Sequence, residues 1–253
     1  MKKIGDIKKE LKAADIDELP FFIKNYEDDE RSGVKNIVES ARKSLDKLEK
    51  ERARIRKMRE FEDKYPECEF ICGIDEAGRG PLAGPVVAGA VILPKGCEIM
   101  YVNDSKKLSE KKREELFEVI KREALHIGVG MASPQRIDEI NILNATYEAM
   151  REAVKNLGET PDILLNDAVT IPGLDIKQQP IIKGDAKSIS IASASIIAKV
   201  TRDHIMYEYD KEMPEYGFAT HKGYGTAAHI EAIKKYGPSN IHRRSFIGNF
   251  LSQ

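Results

Sequence analysis

The 253-residue chain combines 41% hydrophobic with 33% charged side chains, enough to bury a core under a densely charged surface, which excludes the disordered and membrane-embedded classes. Its 41 Lys and Arg stand against 42 Asp and Glu, and the resulting net charge of -1 selects no partner class by itself. No run approaches the roughly 18 apolar residues of a membrane span, and the start MKKIGDIKKELKAAD lacks the apolar middle of a secretory leader.

Three cysteines, Cys68, Cys72 and Cys97, form no CxxC pair and argue for reduced thiols rather than a disulfide framework or a zinc site. The expectation is a cytoplasmic protein with no membrane partner.

In chain order, residues 1–66 form a helical N-terminal extension. The segment from Asp28 to Tyr65 contains no proline and reads as one long helix, with Asp28 or Asp29 as its cap. Val34, Val38, Ala41, Leu45, Leu48 and Ile55 follow an alternating four-and-three step, with Arg52 filling one slot. This narrow stripe suits a partner-binding or substrate-contacting arm or a helix lying on its own domain; at only about three heptads it is short for a stable free coiled coil, which favours the second.

Residues 67–253 form the second region. EFICGID and VVAGAVIL read as neighbouring strands and EIMYV as a short third; SEKKREELFEVIKREA is a helix opened by Ser109. LHIGVGMA is a strand. SPQRIDEINILNATYEAMREAVKNLG is a helix with Pro in its first turn and Gly158 as its stop. DILLND and QPIIKGD are short buried strands, and SISIASASIIAKVTRDHIMYEYDKEM is a small-residue helix halted by Pro214. The order implies an α/β fold, a mixed central sheet flanked by helices.

Three apolar runs end in an acid, at Asp75, Asp167 and Asp185, and Glu76 follows the first. Strand ends in open α/β sheets are where ligand sites assemble. Converging carboxylates cannot all stay ionised alone. Hard oxygen donors without His or Cys point to Mg²⁺ or Mn²⁺. The plainer alternative is that each Asp is a turn or cap residue.

Between Gly78, Gly80 and Gly84 stand Arg79 and Pro81, a spacing that fits neither a dinucleotide loop nor a P-loop. It leaves a turn that offers backbone groups and one guanidinium to a ligand. In THKGYGTAAH, Tyr224 lies between two glycines beside His221 and Lys222, an aromatic on a flexible basic loop able to stack on a base or sugar. Lys183, Lys187, Lys199, Arg202, Arg243 and Arg244, with four of the five histidines, suit either a phosphate track or an ordinary solvated surface. A phosphate-handling metabolic enzyme and a non-catalytic nucleic-acid scaffold stay open beside a nuclease on these residues alone.

GIDEAGRGPLAGPVVAGAVIL, NDSKKLS, KGDAKSISIASASIIAKVTRD, HKGYGT and HRRSF, in this order between about residues 70 and 248, closely resemble the bacterial ribonuclease HII family. The resemblance implies a ribonuclease H-like fold. The implied activity is an endonuclease that hydrolyses the RNA strand of RNA–DNA hybrids and cuts 5′ to single ribonucleotides embedded in duplex DNA, leaving 3′-hydroxyl and 5′-phosphate ends. By motif, the metal-binding catalytic carboxylates fall on Asp75, Glu76, Asp167 and Asp185, served by Mn²⁺ or Mg²⁺ in a two-metal mechanism.

The resemblance further implies that Gly78, Arg79 and Gly80 form the minor-groove loop and that Tyr224 packs on the neighbouring deoxyribose. Lys106 and Lys199 become candidate phosphate contacts, and the protein is expected to act as a monomer. The sister ribonuclease HIII family usually lacks an Arg between those glycines and carries a β-rich N-terminal domain, so Arg79 and the helical start favour HII. Two departures are small: Ser193 replaces the usual Ala, and Asn166 precedes the third acid.

Overall fold

The structure is a computed structural model that describes residues 1–251. It divides into two compact units, Met1–Arg56 and Lys57 onward.

In the first unit, α1 (Ile4–Ala13), α2 (Leu19–Tyr26) and the greater part of α3 (Ser32–Met58) enclose a small core. Ile7, Leu19, Phe22, Ile23, Val34, Ile37, Val38 and Ala41 are buried together there. The start of the apolar stripe is thus covered by the two preceding helices, and no partner is required for it.

The helix expected from Asp28 to Tyr65 is shorter at both ends. Asp29 does not cap it: its Oδ1 accepts the Arg31 amide at 3.1 Å and Arg31 Nε at 2.9 Å, which closes a separate turn. At the far end the sequence holds no stop signal, and the stop is tertiary. Glu62 Oε1 accepts the Ser188 hydroxyl at 2.6 Å and the Ser190 amide at 3.0 Å, drawing residues 62–64 into a 3₁₀ turn.

The second unit contains β1 (Ile71–Ala77), β2 (Val86–Ile92), α4 (Glu110–Glu123), β3 (His126–Ala132), α5 (Pro134–Lys155), β4 (Ile163–Asp167), β5 (Lys177–Ile181), α6 (Ile189–Glu212), α7 (Phe218–His221), α8 (Ala227–Tyr236) and α9 (Arg244–Leu251). Among the described residues the sheet has five strands in the order β3-β2-β1-β4-β5. The β3-β2-β1 part is antiparallel, and β4 and β5 run parallel to β1. This is the mixed, helix-flanked sheet expected.

Strand alternation divides the faces. Cys72, Ile74, Ala88 and Ala90 pack with Ala149, Met150 and Ala153 of α5. Ile71, Ile163, Leu165 and Ile181 pack with Ile191 of α6 on the other face. Ile189 to Ala198 of α6 are all buried, which matches a helix of small and apolar residues enclosed on every side. Ser193 in that run is satisfied by bonding back to the Ile189 carbonyl at 2.8 Å, so the departure from Ala is accommodated locally.

The close approach of α6 depends on Gly89, where an added Cβ would lie 2.5 Å from the Ala194 carbonyl oxygen. Gly89→Ala is expected to destabilise the protein by about 1–3 kcal/mol, read as a lower urea midpoint, because helix backbone must move.

Three local expectations are corrected. EIMYV forms no strand: Tyr101 takes φ +68°, a left-handed turn that breaks the extended run. The strand expected over QPIIKGD ends at Ile181. Helix α5 is kinked at Asn141 (φ 68°, ψ 164°), whose Oδ1 accepts the Leu143 and Asn144 amides at 3.0 and 3.1 Å and caps a second helical segment.

Candidate active site

Parallel pairing of β1 with β4 places Ile74 opposite Asn166, so the next residues, Asp75 and Asp167, stand side by side on the sheet face that carries α6. Asp167 is the last residue of β4, whereas Asp75 lies two residues inside β1. Asp185 is not at a strand end. It sits in a 3₁₀ turn, Gly184–Ala186, beyond β5. The turn is pulled in by Asp167, whose Oδ1 accepts the Gly184 amide at 2.7 Å. Ala168 and Lys183, both at φ +58°, hold left-handed backbone beside the acids.

One carboxylate oxygen each from Asp75, Asp167 and Asp185 lies within 4.8 Å of the others. Burial pushes the Asp75 carboxyl well above the carboxylate range, reinforced by Glu76 and Asp167, while the Ser195 hydroxyl opposes the shift. Burial likewise raises Glu76 against Arg79, and raises Asp185 with help from Asp104 and Asp167. These acids are a poor place for negative charge without a cation, and an all-oxygen donor set fits a hard divalent ion. Glu76 flanks the group and holds Arg79 Nη1 at 3.2 Å.

The glycine turn stands next to the acids and is rigidly held. Gly78 has φ +94°, and a Cβ there would fall 2.1 Å from Arg202 Nε. Arg202 donates to the carbonyls of Pro85, Lys222 and Ala83, each at 3.0 Å. Arg243 donates to Gly84 (3.0 and 2.8 Å), Arg79 (2.9 Å) and Gly78 (2.5 Å). The Tyr224 loop rests on the same turn: the Leu82 amide donates to the Gly223 carbonyl at 2.8 Å, and the Tyr224 ring lies 3.9 Å from where a Gly80 Cβ would stand.

Comparison with known proteins settles the family. A model described as Ribonuclease HII matches residues 72–249, and one described as Ribonuclease HII N-terminal domain matches residues 3–66. The chain belongs to the ribonuclease HII family. A ribonuclease HII of Lachnoclostridium phytofermentans is 60% identical over 252 residues, covering 99% of this chain and 98% of that one. A ribonuclease HII of Clostridioides difficile is 54% identical over 252 residues, covering 99% of each. Among solved structures, ribonuclease H2 from Pyrococcus horikoshii superposes with TM-score 0.58 at 28% identity, covering 73% of this chain and all of that one. As a ribonuclease HII, the chain is a metal-dependent endonuclease of RNA in RNA–DNA substrates. Among the described residues, no helix is long and apolar enough to cross a membrane.

The acidic cluster of this ribonuclease HII has neighbours that the amino-acid pattern did not flag. Asp104, in the quoted NDSKKLS, accepts the Lys106 amide at 2.9 Å and adds a fifth acid beside Asp185. Ser105 Oγ and Ser195 Oγ are bonded at 2.9 Å next to Asp75. Lys106 joins the site: burial draws its ammonium down, but Asp75, Asp104, Asp185 and Glu76 outweigh that and hold it above its ordinary value. Lys199 is turned elsewhere, bonded to Asp203 at 2.7 Å.

Of the candidate phosphate track, Lys183, Lys187 and Arg244 are exposed, but Arg202 and Arg243 are 1% and 0% exposed and bind loop carbonyls instead. Lys222 is also enclosed, bonded to the Ala219 carbonyl with its ammonium 3.9 Å from the centre of the Tyr207 ring. A run of basic residues cannot show which of them point inward; that depends on carbonyls brought together by folding.

Proposed function

We propose that the chain hydrolyses the RNA strand of RNA–DNA hybrids and cuts 5′ to single ribonucleotides in duplex DNA, leaving 3′-hydroxyl and 5′-phosphate ends. Asp75, Glu76, Asp167 and Asp185 hold two divalent cations, Mg²⁺ or Mn²⁺. The observation that carries this reading is the convergence of three carboxylates within 4.8 Å, beside a glycine turn that also supports an exposed tyrosine. When bound, two such ions supply the positive charge that activates an attacking water and offsets the charge on the leaving oxygen.

The other roles belong to this chain's own groups. Gly78 and Gly80 bring backbone to the minor groove, where a ribonucleotide is distinguished by its 2′-hydroxyl, both donor and acceptor. Arg79, 44% exposed at its side chain, offers a guanidinium there. Lys106 places an ammonium at the acids where a phosphate would arrive, positioning substrate without reading its sequence. Tyr224, 44% exposed, packs on the deoxyribose that follows the ribonucleotide. Lys199, paired with Asp203, contributes to phosphate binding only by releasing that partner. The protein acts in the cytoplasm as a monomer.

The test is a labelled DNA–RNA–DNA duplex with one ribonucleotide, incubated with and without Mg²⁺ or Mn²⁺. Arg79→Ala and Tyr224→Ala are each expected to lower kcat/KM by about tenfold or more while the melting temperature stays within a few degrees of native. Native rates in both variants would remove the recognition half of the reading, and metal-independent binding without cleavage would favour a scaffold.

A further inference from the structure

The loop that carries Tyr224 is bonded at nearly every backbone group. Gly223 has φ +83°, and a Cβ there would lie 2.5 Å from the Ala83 carbonyl oxygen. Its glycines therefore serve turn geometry and close packing, not flexibility. Behind the loop stand three histidines whose protonated nitrogens are set by their partners.

The Ser239 amide donates to His242 Nδ1 at 2.9 Å, which leaves the His242 proton on Nε2. That nitrogen faces His229 Nε2 at 3.0 Å, so it donates and His229 Nε2 accepts. The His229 proton is then on Nδ1, which lies 2.9 Å from the Tyr224 carbonyl and donates to it. The Thr226 amide supplies that oxygen's other bond at 2.8 Å. In parallel, the Gly223 amide donates to His221 Nδ1 at 3.1 Å, and the His221 ring stacks on His229 with centroids 4.3 Å apart.

His229 and His242 are 0% and 2% exposed, and burial pushes both down to about 4, so each ring is neutral near pH 7. A chain with one proton per ring and one direction of donation is the arrangement that satisfies every buried nitrogen. Among the described residues, the bond from the chain to Tyr224 falls on its carbonyl and none on its hydroxyl, so the chain acts on the backbone from which the exposed ring projects.

We propose that His229, oriented by His242, is a positioning residue that holds the Tyr224 backbone so that its ring meets the nucleotide following the cut, and thereby sets selectivity for a single embedded ribonucleotide over a continuous hybrid. The proposal rests on the reading of Tyr224 given above.

The experiment measures kcat/KM on a single-ribonucleotide duplex and on a uniform RNA–DNA hybrid, for His229→Phe and His229→Asn in the native and Tyr224→Ala backgrounds. His229→Phe is expected to lower the ratio of the two substrates about tenfold in the native background and not at all once Tyr224 is Ala. His229→Asn, whose amide N–H takes the place of Nδ1–H, is expected to restore most of that ratio. Equal losses on both substrates, the same loss in both backgrounds, or no difference between Asn and Phe would reduce His229 to a packing residue and overturn the proposal. A Tyr224→Ala protein with an unchanged ratio would instead overturn the reading of Tyr224, and the proposal with it.

A measurement on the native protein needs no variant to fold. In ¹⁵N-labelled protein near pH 7, His229 is expected as the Nδ1–H tautomer and His242 as the Nε2–H tautomer. The opposite tautomer at His229 would also overturn the proposal.

Discussion

Asp75→Asn is expected to lower cleavage by about 10³-fold or more, the upper range for loss of one preorganised electrostatic group, while making the metal-free protein more stable. Both effects come from the same burial. Asp75 is 6% exposed, with Glu76 and Asp167 as charged neighbours, so its carboxyl is held well above the carboxylate range.

The unfolded chain ionises this group near pH 3.9. The folded, metal-free protein keeps its proton to higher pH. Stability from this site is therefore complete below the unfolded pKa and is lost as pH rises through the folded one. Asn removes that loss, and near neutral pH in chelator the variant is expected to melt above native.

Added Mn²⁺ or Mg²⁺ reverses the order, because a ligand that binds only the folded state stabilises it and the variant has lost a donor. Thermal melts in chelator and in Mn²⁺, run beside the duplex assay, check both halves. A variant that still turns over with Mg²⁺, or that gains as much from Mn²⁺ as native does, would remove Asp75 from the metal site.

Arg243→Met is expected to have the largest effect on stability, about 3–5 kcal/mol, seen as a lower urea midpoint with the slope unchanged. The guanidinium is 0% exposed, and its donors reach the carbonyls of Gly78, Arg79 and Gly84. Met keeps the volume and leaves those oxygens buried without these partners. Arg243→Lys is not expected to rescue, since a point ammonium cannot span three carbonyls that a planar fork reaches together. Activity should fall by more than the unfolded fraction accounts for, because the freed oxygens belong to the turn that carries Arg79. Cleavage per folded molecule equal to native would show that the turn needs no such brace.

Much of the catalytic unit was legible from local pattern. Alternating and continuous apolar runs located β1, β2, β3 and β4, and Ser109 and Pro214 marked helix limits that the structure keeps. The acid at the end of ILLND is on its strand. Asp185 was legible as an acid but not as part of a turn, since that turn is held by the Asp167 carboxylate from another strand. Asp104 carried no apolar run to flag it, and only folding sets it against Asp185. The end of α3 was unreadable for the same reason: Glu62 leaves the helical path for the Ser188 hydroxyl, 126 residues away.

What the amino-acid order determined by itself is the set of elements, the residue types able to hold a divalent ion, and the motif succession that marks a ribonuclease HII. Periodicity and side-chain chemistry are local properties and survive in one dimension. Tertiary structure alone decided which basic residues meet solvent and which are internal braces. Arg79 is exposed while Arg243 is buried, because only in the folded chain do the carbonyls of the glycine turn converge on one guanidinium. It also decided the direction of the histidine chain behind Tyr224, since which ring nitrogen keeps its proton depends on partners up to 13 residues away.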